Sequence, residues 1–448
     1  MSQPDLSRLD IESLWHPLTQ HQGIDAAPPR FIERGEGCYL YDAAGNRFYD
    51  AVSGLWCVNV GHGREELAQV AAEQMKKLSY LPGTMSHEPG VRLAARLVEL
   101  LGYPARVYYS NSGSEANEAA FKMARQYQSQ VTGGTGRYKI IARHRGYHGC
   151  TLGALSATGN WERRHGYEPL VPGFIFTDAP DPYRGVDRCA EKLEETILRE
   201  GANSVAAFIT EPIVAGGGLL FPPDDYLPAV REVCTRHGVL LIVDEVVTGF
   251  GRTGKMFAHQ HWGIQPDIVT MAKGMASGYM PLAATVAREE VFKAFDGAPA
   301  SHRHFRHVNT FGGHPVATAV GLENIAIIER EGLVERVATL EKSLMTRLEK
   351  LLSHPNVGDV RGKGLLFGVE LVADKQTKEP APADQVAAVL AGCAKRGVII
   401  GRTAETSPGR GNILIAAPPF ISGEAEFDLL ASSIEEALAD AFSDASAA

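Results

Sequence analysis

Lys273 ends an apolar run, DIVTMAK (267–273), that has the length and composition of a buried strand. Small residues follow the lysine and leave space around its amine. Burial disfavours the ammonium form, so a lysine in such a place can act as a nucleophile. The alternative is a lysine that extends its charged end to solvent along an apolar surface.

Asp244 and Glu245 come directly after the five apolar residues that open a second run of this kind, VLLIVDEV (239–246). Adjacent side chains of a strand point to opposite faces, so only one of the two can face a given site. A buried carboxylate is costly unless a cation or hydrogen-bond donors lie beside it. Asp244 is therefore a candidate partner for a protonated ring nitrogen, and a structural salt bridge is the alternative.

A third strand-like run, RVYYS (106–110), is followed by small residues that open a predicted helix: Ser112, Gly113 and Ser114. The free N–H groups and the dipole at a helix N-terminus favour a phosphate, and the hydroxyls add donors. Ordinary capping of the helix by Ser114 is the alternative.

A fourth run, VAAFITE (205–211), ends in Glu211, before a proline and the glycine-rich AGGGLL. Each of the four signals is weak alone, but ligands of open parallel sheets bind beyond the carboxyl ends of the strands. A phosphate cradle, a carboxylate for a pyridinium nitrogen and an amine for a Schiff base are what pyridoxal 5'-phosphate needs. The combination predicts that cofactor.

The elements that must position these residues are strands alternating with helices. The strands are apolar on both faces, which indicates a mostly parallel sheet covered on both sides. We predict an α/β fold with a large cofactor-binding domain over residues 61–330. A smaller α/β domain is expected from both ends of the chain, residues 1–60 and 331–448. The Pro-rich segment 375–384 is predicted to be a surface loop.

Composition excludes several other classes of protein. The chain has 448 residues, 44% of them hydrophobic, and a net charge of −9. The acidic balance argues against nucleic-acid binding, and the apolar content argues against disorder. No apolar run approaches the roughly 18 residues of a membrane helix, and no secretory signal is recognised. The six cysteines show neither disulfide nor zinc spacing, so a cytoplasmic protein is expected.

Three further motifs resemble ligand-binding patterns but lack the residues that such sites need. GFGRTG (249–254) matches GxGxxG, but the residues after it lack a helical period, which disfavours a dinucleotide site. Arginines separate the histidines of SHRHFRH (301–307) and would repel a cation, so we predict a solvated or interface loop. His259 and His261 have no carboxylate nearby in sequence and are predicted to be structural. No metal site is predicted.

Seven motifs resemble those of the class III (ω-) aminotransferases, which are pyridoxal-phosphate enzymes of fold type I. The likeness covers nearly the whole chain, and Lys273 follows Asp244 by 29 residues, the strongest signature of the family. The motifs are GLWCVNVGHGR (54–64), NSGSEAN (111–117), GYHG (146–149), ITEP (209–212), DEVVTGFGRTG (244–254), AKGMASGYMPL (272–282) and NTFGGHP (309–315).

The resemblance implies catalytic roles for three residues. Lys273 is expected to form the Schiff base with the cofactor and, once released, to move a proton between the substrate carbon and the cofactor. Asp244 is expected to keep the pyridinium nitrogen protonated. Glu211 is expected near the ring hydroxyl.

The resemblance also implies how the cofactor is held. Tyr147 would stack on one face of the ring and Val246 would pack on the other. Thr310 would reach the phosphate of a neighbouring subunit, so each active site would need a homodimer, and pairing into a tetramer stays open. The residues expected to bind the cofactor are Ser112, Gly113, Ser114, Tyr147, His148, Asp244, Val246, Lys273 and Thr310.

Substrate binding is assigned by the same resemblance to Trp56, Tyr147 and Arg402. Arg402 would clamp the carboxylate of pyruvate bidentately and swing aside for an uncharged amine. Relatives that use 2-oxoglutarate carry a glutamine and a glutamate where this chain has Val214 and Gly216. The resemblance thus implies amino transfer from an ω-amino acid or primary amine (taurine, β-alanine, a diamine or an aryl amine) to pyruvate.

Three other functions remain as alternatives. An aminomutase or racemase of the same fold would need no keto-acid acceptor. The WHP start (15–17) is shared with diaminopelargonate synthase, whose tandem tryptophans contrast with Leu55 and Trp56 here. A binding or assembly protein that has kept the scaffold would not form the bond to Lys273.

Overall fold

The computed structural model describes residues 3–24, 28–134 and 136–443. Its helices are α1 (Gln3–Ser13), α2 (Ser53–Trp56), α3 (Glu65–Lys77), α4 (Glu88–Leu101), α5 (Gly113–Thr132), α6 (Leu152–Ser156), α7 (Trp161–Arg164), α8 (Cys189–Glu200), α9 (Tyr226–His237), α10 (Glu289–Lys293), α11 (Pro315–Arg330), α12 (Leu333–Leu348), α13 (Ala383–Lys395) and α14 (Glu424–Phe442). Its strands are β1 (Ile32–Glu36), β2 (Tyr39–Asp42), β3 (Arg47–Asp50), β4 (Ala105–Ser110), β5 (Lys139–Arg143), β6 (Phe174–Thr177), β7 (Val205–Thr210), β8 (Leu240–Asp244), β9 (Ile268–Met271), β10 (Ala283–Arg288), β11 (Val357–Lys363), β12 (Leu366–Asp374), β13 (Glu379–Pro380), β14 (Val398–Ile399), β15 (Gly401–Arg402) and β16 (Ile413–Ala416).

A seven-stranded sheet with the order β4-β10-β9-β8-β7-β5-β6 forms the centre of the molecule. The strands from β9 to β6 pair in parallel, and β10 is antiparallel to both of its neighbours. The predicted mostly parallel α/β sheet is confirmed. The antiparallel strand β10 was not predicted, because three of the six residues of its run, AATVAR, are alanines, which are depleted in strands.

Alternate residues of β8 pack on the two faces of this sheet. Ile242 lies in the core formed with α5, whereas Leu241 and Val243 lie in the core formed with α8 and α9. The period of two therefore places Asp244 on the α5 side and Glu245 on the other. This register decides which carboxylate can reach a ligand bound beside α5.

Segments from the two ends of the chain pair with each other. One sheet has the order β1-β2-β3-β14, in which β2 and β3 form a hairpin and β14 pairs in parallel with β3. A second sheet has the order β11-β12-β16-β15. The domain division at residues 60 and 330 stays a prediction.

Segment 375–384 is only partly the predicted surface loop. Glu379–Pro380 forms β13 on the edge of β12, and α13 begins at Ala383. Ala381 between them is buried, which ties the segment to the protein. Across the described residues, no helix combines the length and apolar character needed to cross a membrane.

Candidate active site

A cavity of about 390 Å³ lies at the carboxyl ends of β7, β8 and β9. The sequence-predicted residues that line it are Trp56, Ser112, Gly113, Ser114, Tyr147, His148, Glu211, Asp244, Val246 and Lys273. Thr310 and Arg402 are not among the lining residues. The fold therefore brings the four predicted strand ends together at one site.

Lys273 follows β9 with its backbone in the left-handed region, at a φ of 43°. Its amine makes no hydrogen bond or ion pair with any residue that the structure describes. Nζ lies 5.5 Å from the centre of the Trp56 ring. Burial lowers the pKa of the Lys273 amine below its ordinary value of 10.5, and the nearby charge of Asp244 opposes that shift only in part. The Lys273 amine is therefore a buried group rather than a solvated surface charge, an environment that favours a nucleophile.

Three donors hold the Asp244 carboxylate. Its Oδ2 accepts a hydrogen bond from Nδ2 of Asn117 at 2.8 Å and lies 2.8 Å from Nδ1 of His148. Its Oδ1 accepts from the backbone N–H of Val246 at 3.0 Å. Such contacts stabilise a buried carboxylate and fix its direction.

Asn117 was missed as a site residue by the sequence reasoning. Its Oδ1 accepts a hydrogen bond from the Thr270 hydroxyl at 2.8 Å, which sets the orientation of the amide that faces Asp244. The available signal was spacing, because Asn117 lies four residues after Gly113 on α5 and shares its face.

Glu245 lies on the opposite face and has a structural environment. It accepts hydrogen bonds from the Thr248 hydroxyl at 2.5 Å and from the backbone N–H groups of Ala258 and His259 at 3.0 and 2.8 Å. The His259 ring also contacts it, with Nδ1 at 2.9 Å. The structure thus supplies His259 with a carboxylate partner that is 14 residues away in sequence.

The start of α5 forms the small-residue wall of the cavity. Ser112 is the N-cap, and its Oγ accepts from the N–H of Glu115 at 3.2 Å. The alternative in which Ser114 caps this helix is therefore wrong, because its Oγ instead accepts from the N–H of Cys150 at 3.0 Å. A Cβ on Gly113 would lie 3.0 Å from the Val246 side chain, so a larger residue would crowd this wall.

Glu211 is fully buried beside Tyr147. Its Oε1 accepts from the N–H of Tyr147 at 3.1 Å and its Oε2 from the N–H of Ala215 at 3.0 Å. Burial raises the pKa of the Glu211 carboxyl above its ordinary value, and the neighbouring His148 opposes the shift. Glu211 thereby joins the GYHG segment to the glycine-rich loop that closes one side of the cavity.

Thr310 and Arg402 lie outside the cavity. Thr310 is exposed, between the exposed Val308 and Phe311. Arg402 is exposed on β15 and donates to the carbonyl of the adjacent Thr403 at 3.2 Å. In the part of the chain that is described, no group of three or more histidine, cysteine, aspartate or glutamate residues is arranged to hold a metal ion.

These residues fit pyridoxal phosphate. An unpartnered buried amine, a fixed carboxylate and a small-residue helix start face one cavity, and the buried Nε2 of His148 lacks a hydrogen-bond partner in the described structure. Together with the sheet order, they define a pyridoxal-phosphate enzyme of fold type I.

The model of the class III aminotransferases matches residues 21–438, so the chain belongs to the aminotransferase class-III family. It is a pyridoxal-phosphate-dependent aminotransferase, as its sequence motifs predict. The aminotransferase YhxA of Bacillus subtilis is 48% identical, covering 96% of each chain. The taurine–pyruvate aminotransferase of Rhodobacter capsulatus is 44% identical, covering 96% of this chain and 95% of its own.

A solved structure is similar throughout. The (S)-enantioselective omega-transaminase of Thermomicrobium roseum superposes with a TM-score of 0.93 at 41% identity, covering 98% of this chain and 99% of its own. The predicted fold type is confirmed by this match together with the family.

Proposed function

We propose that this aminotransferase moves the amino group of an ω-amino acid or primary amine to pyruvate, which becomes alanine. The observation that carries the proposal is the open wall at Gly216. A Cβ there would lie 3.6 Å from Cβ of Tyr147 and 3.9 Å from the Trp56 ring, so the backbone of Gly216 borders the cavity directly. Gly216 has no acidic side chain that could interact with an arginine. In relatives that use 2-oxoglutarate, the resemblance leads us to expect a glutamate at this position.

The names of the relatives support the same reaction. One relative is called a taurine–pyruvate aminotransferase, and a structure of similar fold is called an omega-transaminase. The physiological amine donor is left open among taurine, β-alanine, diamines and aryl amines.

The chain's own residues supply the proton chemistry of the proposed reaction. Bound pyridoxal phosphate supplies a carbonyl carbon for the amine and a ring that accepts electrons from the substrate carbon. Lys273, with its lowered pKa, accepts and returns a proton at Nζ. Asp244, fixed by Asn117 and His148, holds a proton at the ring nitrogen position. Tyr147 and Val246 line the cavity, and they are proposed to pack on the two faces of the ring and to exclude water.

Two residues outside the cavity complete the proposal. Arg402 is proposed to turn in from β15 when pyruvate binds and to pair with its carboxylate. Thr310 is proposed to serve the site of a second copy of the chain. The exposure of Val308 at 84% and of Phe311 at 59% supports a homodimer in which this segment is covered.

Separate half-reactions test the proposed function. The purified protein should show the absorbance of bound cofactor, lose it with an amine donor and regain it with pyruvate. A panel of taurine, β-alanine, putrescine and an aryl amine, with pyruvate held constant, should identify the donor. Equal recovery with 2-oxoglutarate would contradict the choice of acceptor, and turnover of one substrate without any keto acid would instead indicate an aminomutase or racemase.

A further inference from the structure

The segment that carries Trp56 into the cavity has a strained backbone. We call residues 53–56 the Trp56 turn. Ser53 has a φ of 49°, Gly54 a φ of 65° and Trp56 a φ of 59°. Two non-glycine residues in the left-handed region within four positions are energetically unfavourable, so surrounding contacts must hold the turn in place.

Arg252 supplies contacts that hold this turn. Its side chain is fully buried, and its Nη2 donates to Oδ1 of Asn59 at 2.7 Å and to Oγ of Ser53 at 3.4 Å. Its Nη1 donates to the carbonyls of Leu365 and Pro418 at 3.0 and 2.6 Å. None of these acceptors is a carboxylate, so every one of these hydrogen bonds of the buried charge is to a neutral oxygen.

A buried charge that forms no ion pair is destabilising in itself. Burial lowers the pKa of Arg252 from 12.5 to about 9, so the guanidinium stays protonated at neutral pH. The planar guanidinium connects distant parts of the chain, because it bonds at the same time to the Trp56 turn, to Asn59 and to two segments from the C-terminal part of the chain. A compact ammonium could not make the same divergent bonds.

The other side of the Trp56 turn is also fixed. The hydroxyl of Ser53 donates to the carbonyl of Ala417 at 2.7 Å. The N–H of Gly54 donates to Oδ2 of Asp50 at 2.7 Å, and the same oxygen lies 2.8 Å from Nε2 of His62. The strained conformation is thus held from both sides.

Asn59 connects this arrangement to the catalytic lysine. A Cβ on Gly274 would lie 2.4 Å from Nδ2 of Asn59, so the amide packs directly on the backbone that follows Lys273. Arg252 therefore contacts the Trp56 turn through Ser53 and the Lys273 segment through Asn59. The ring of Trp56 lies 5.5 Å from Nζ of Lys273 under these constraints.

We propose that Arg252 is a positioning residue for amine binding, which acts by holding the Trp56 turn against the segment of Lys273. The proposal rests on the proposed function, in which Trp56 borders the amine donor. It also gives a role to GFGRTG, the motif that fails as a dinucleotide fingerprint.

The test is Arg252→Lys, which keeps the charge but not the planar fork. We expect the KM for the amine donor to rise about 10-fold or more, since small misplacements in a site are costly. The KM for pyruvate should change by less than about 2-fold. The absorbance maximum of the bound cofactor should shift by no more than about a few nanometres. Amide hydrogen exchange in the apoprotein should accelerate at Gly54 and Trp56, whose N–H groups are bonded to Asp50 and Val52.

Arg184→Lys is the matched control. Arg184 is a half-buried arginine that pairs with the buried Glu370 and makes no hydrogen bond or ion pair with the Trp56 turn. This variant should lower stability and leave the donor KM and the exchange at Gly54 unchanged. Ser53→Gly is the second test, because it relieves the positive φ while removing the hydroxyl that Arg252 and Ala417 contact. It should raise the donor KM in a folded enzyme even where Arg252→Lys fails to fold.

The double variant Arg252→Lys/Trp56→Ala should bind the donor no worse than Trp56→Ala alone. If the increases in donor KM of the two single variants multiply in the double variant, the proposal is overturned. It is also overturned if the folded Arg252→Lys and Ser53→Gly variants show an unchanged donor KM and unchanged exchange at Gly54. A wild-type protein without transamination would contradict the proposed function instead, and the exchange data would still report on the turn.

Discussion

Asp244 and Glu245 are adjacent in sequence but lie on opposite faces of the central sheet. Asp244 faces the cavity and is held by Asn117 and His148, whereas Glu245 is bonded to the segment of Ala258 and His259. A difference of one position along the strand therefore separates a carboxylate that lines the cavity from one whose hydrogen bonds hold a neighbouring segment in place.

Asp244→Asn should lower kcat by about 10²–10⁴-fold, because an amide cannot hold the ring nitrogen proton as a carboxylate does. Glu245→Gln is its control. It should cost about 1–3 kcal/mol of stability, since it weakens buried hydrogen bonds, while kcat stays close to that of the wild type. Half-reaction rates and urea unfolding measure the two effects. Similar losses of kcat in both variants would show that the face of the sheet on which a carboxylate lies does not decide its role in catalysis.

Lys273→Met should make the apoprotein more stable than the wild type. The buried amine has a pKa below 10.5, the ordinary value that it regains on unfolding. Between these two pKa values the unfolded wild type binds more protons, so its stability rises with pH across that window. The advantage of Lys273→Met should thus shrink as pH rises towards 10.5. Urea unfolding of both apoproteins at several pH values measures it, and a difference independent of pH would contradict the lowered pKa.

Arg402→Ala should raise the KM for pyruvate far more than the KM for an uncharged amine. Loss of a bidentate, desolvated ion pair costs about 2–4 kcal/mol, which corresponds to roughly 30- to 1000-fold. Steady-state kinetics with each substrate varied in turn provides the measurement. Equal changes for both substrates would show that Arg402 is not the carboxylate clamp.

Mixing two inactive variants tests whether Thr310 serves the partner's site. Thr310→Asp places a negative charge beside the expected phosphate, and Lys273→Ala removes the amine. If sites are shared in a homodimer, random mixing should restore about a quarter of the wild-type sites, because half of each mixed dimer is intact. Activity that stays at the level of the separate variants would contradict shared sites.

The sequence was sufficient to predict the parallel part of the central sheet and the strand ends that line the cavity. Apolar runs on β7, β8 and β9 are buried on both faces, and that pattern is visible without coordinates. The motifs added which carboxylate and which lysine to expect. Both kinds of signal are local in sequence.

Contacts between distant segments could not be predicted in this way. The bond between Asn117 and Asp244 spans 127 residues, and the bonds of Arg252 to Pro418 and Asn59 span 166 and 193. The motif GFGRTG also matches GxGxxG, the pattern that binds dinucleotides in a different fold. Only the packing shows that the arginine points inward to carbonyl and amide oxygens.

We propose that Lys273 carries the cofactor at this cavity, and reduction with borohydride followed by peptide mass spectrometry provides the test. Reduction converts a Schiff base to a stable amine, so the added mass of the cofactor should appear on the peptide that contains Lys273. Lys273→Ala should show no such peptide. Added mass on a different lysine, or on none in a protein that turns over, would contradict the claim.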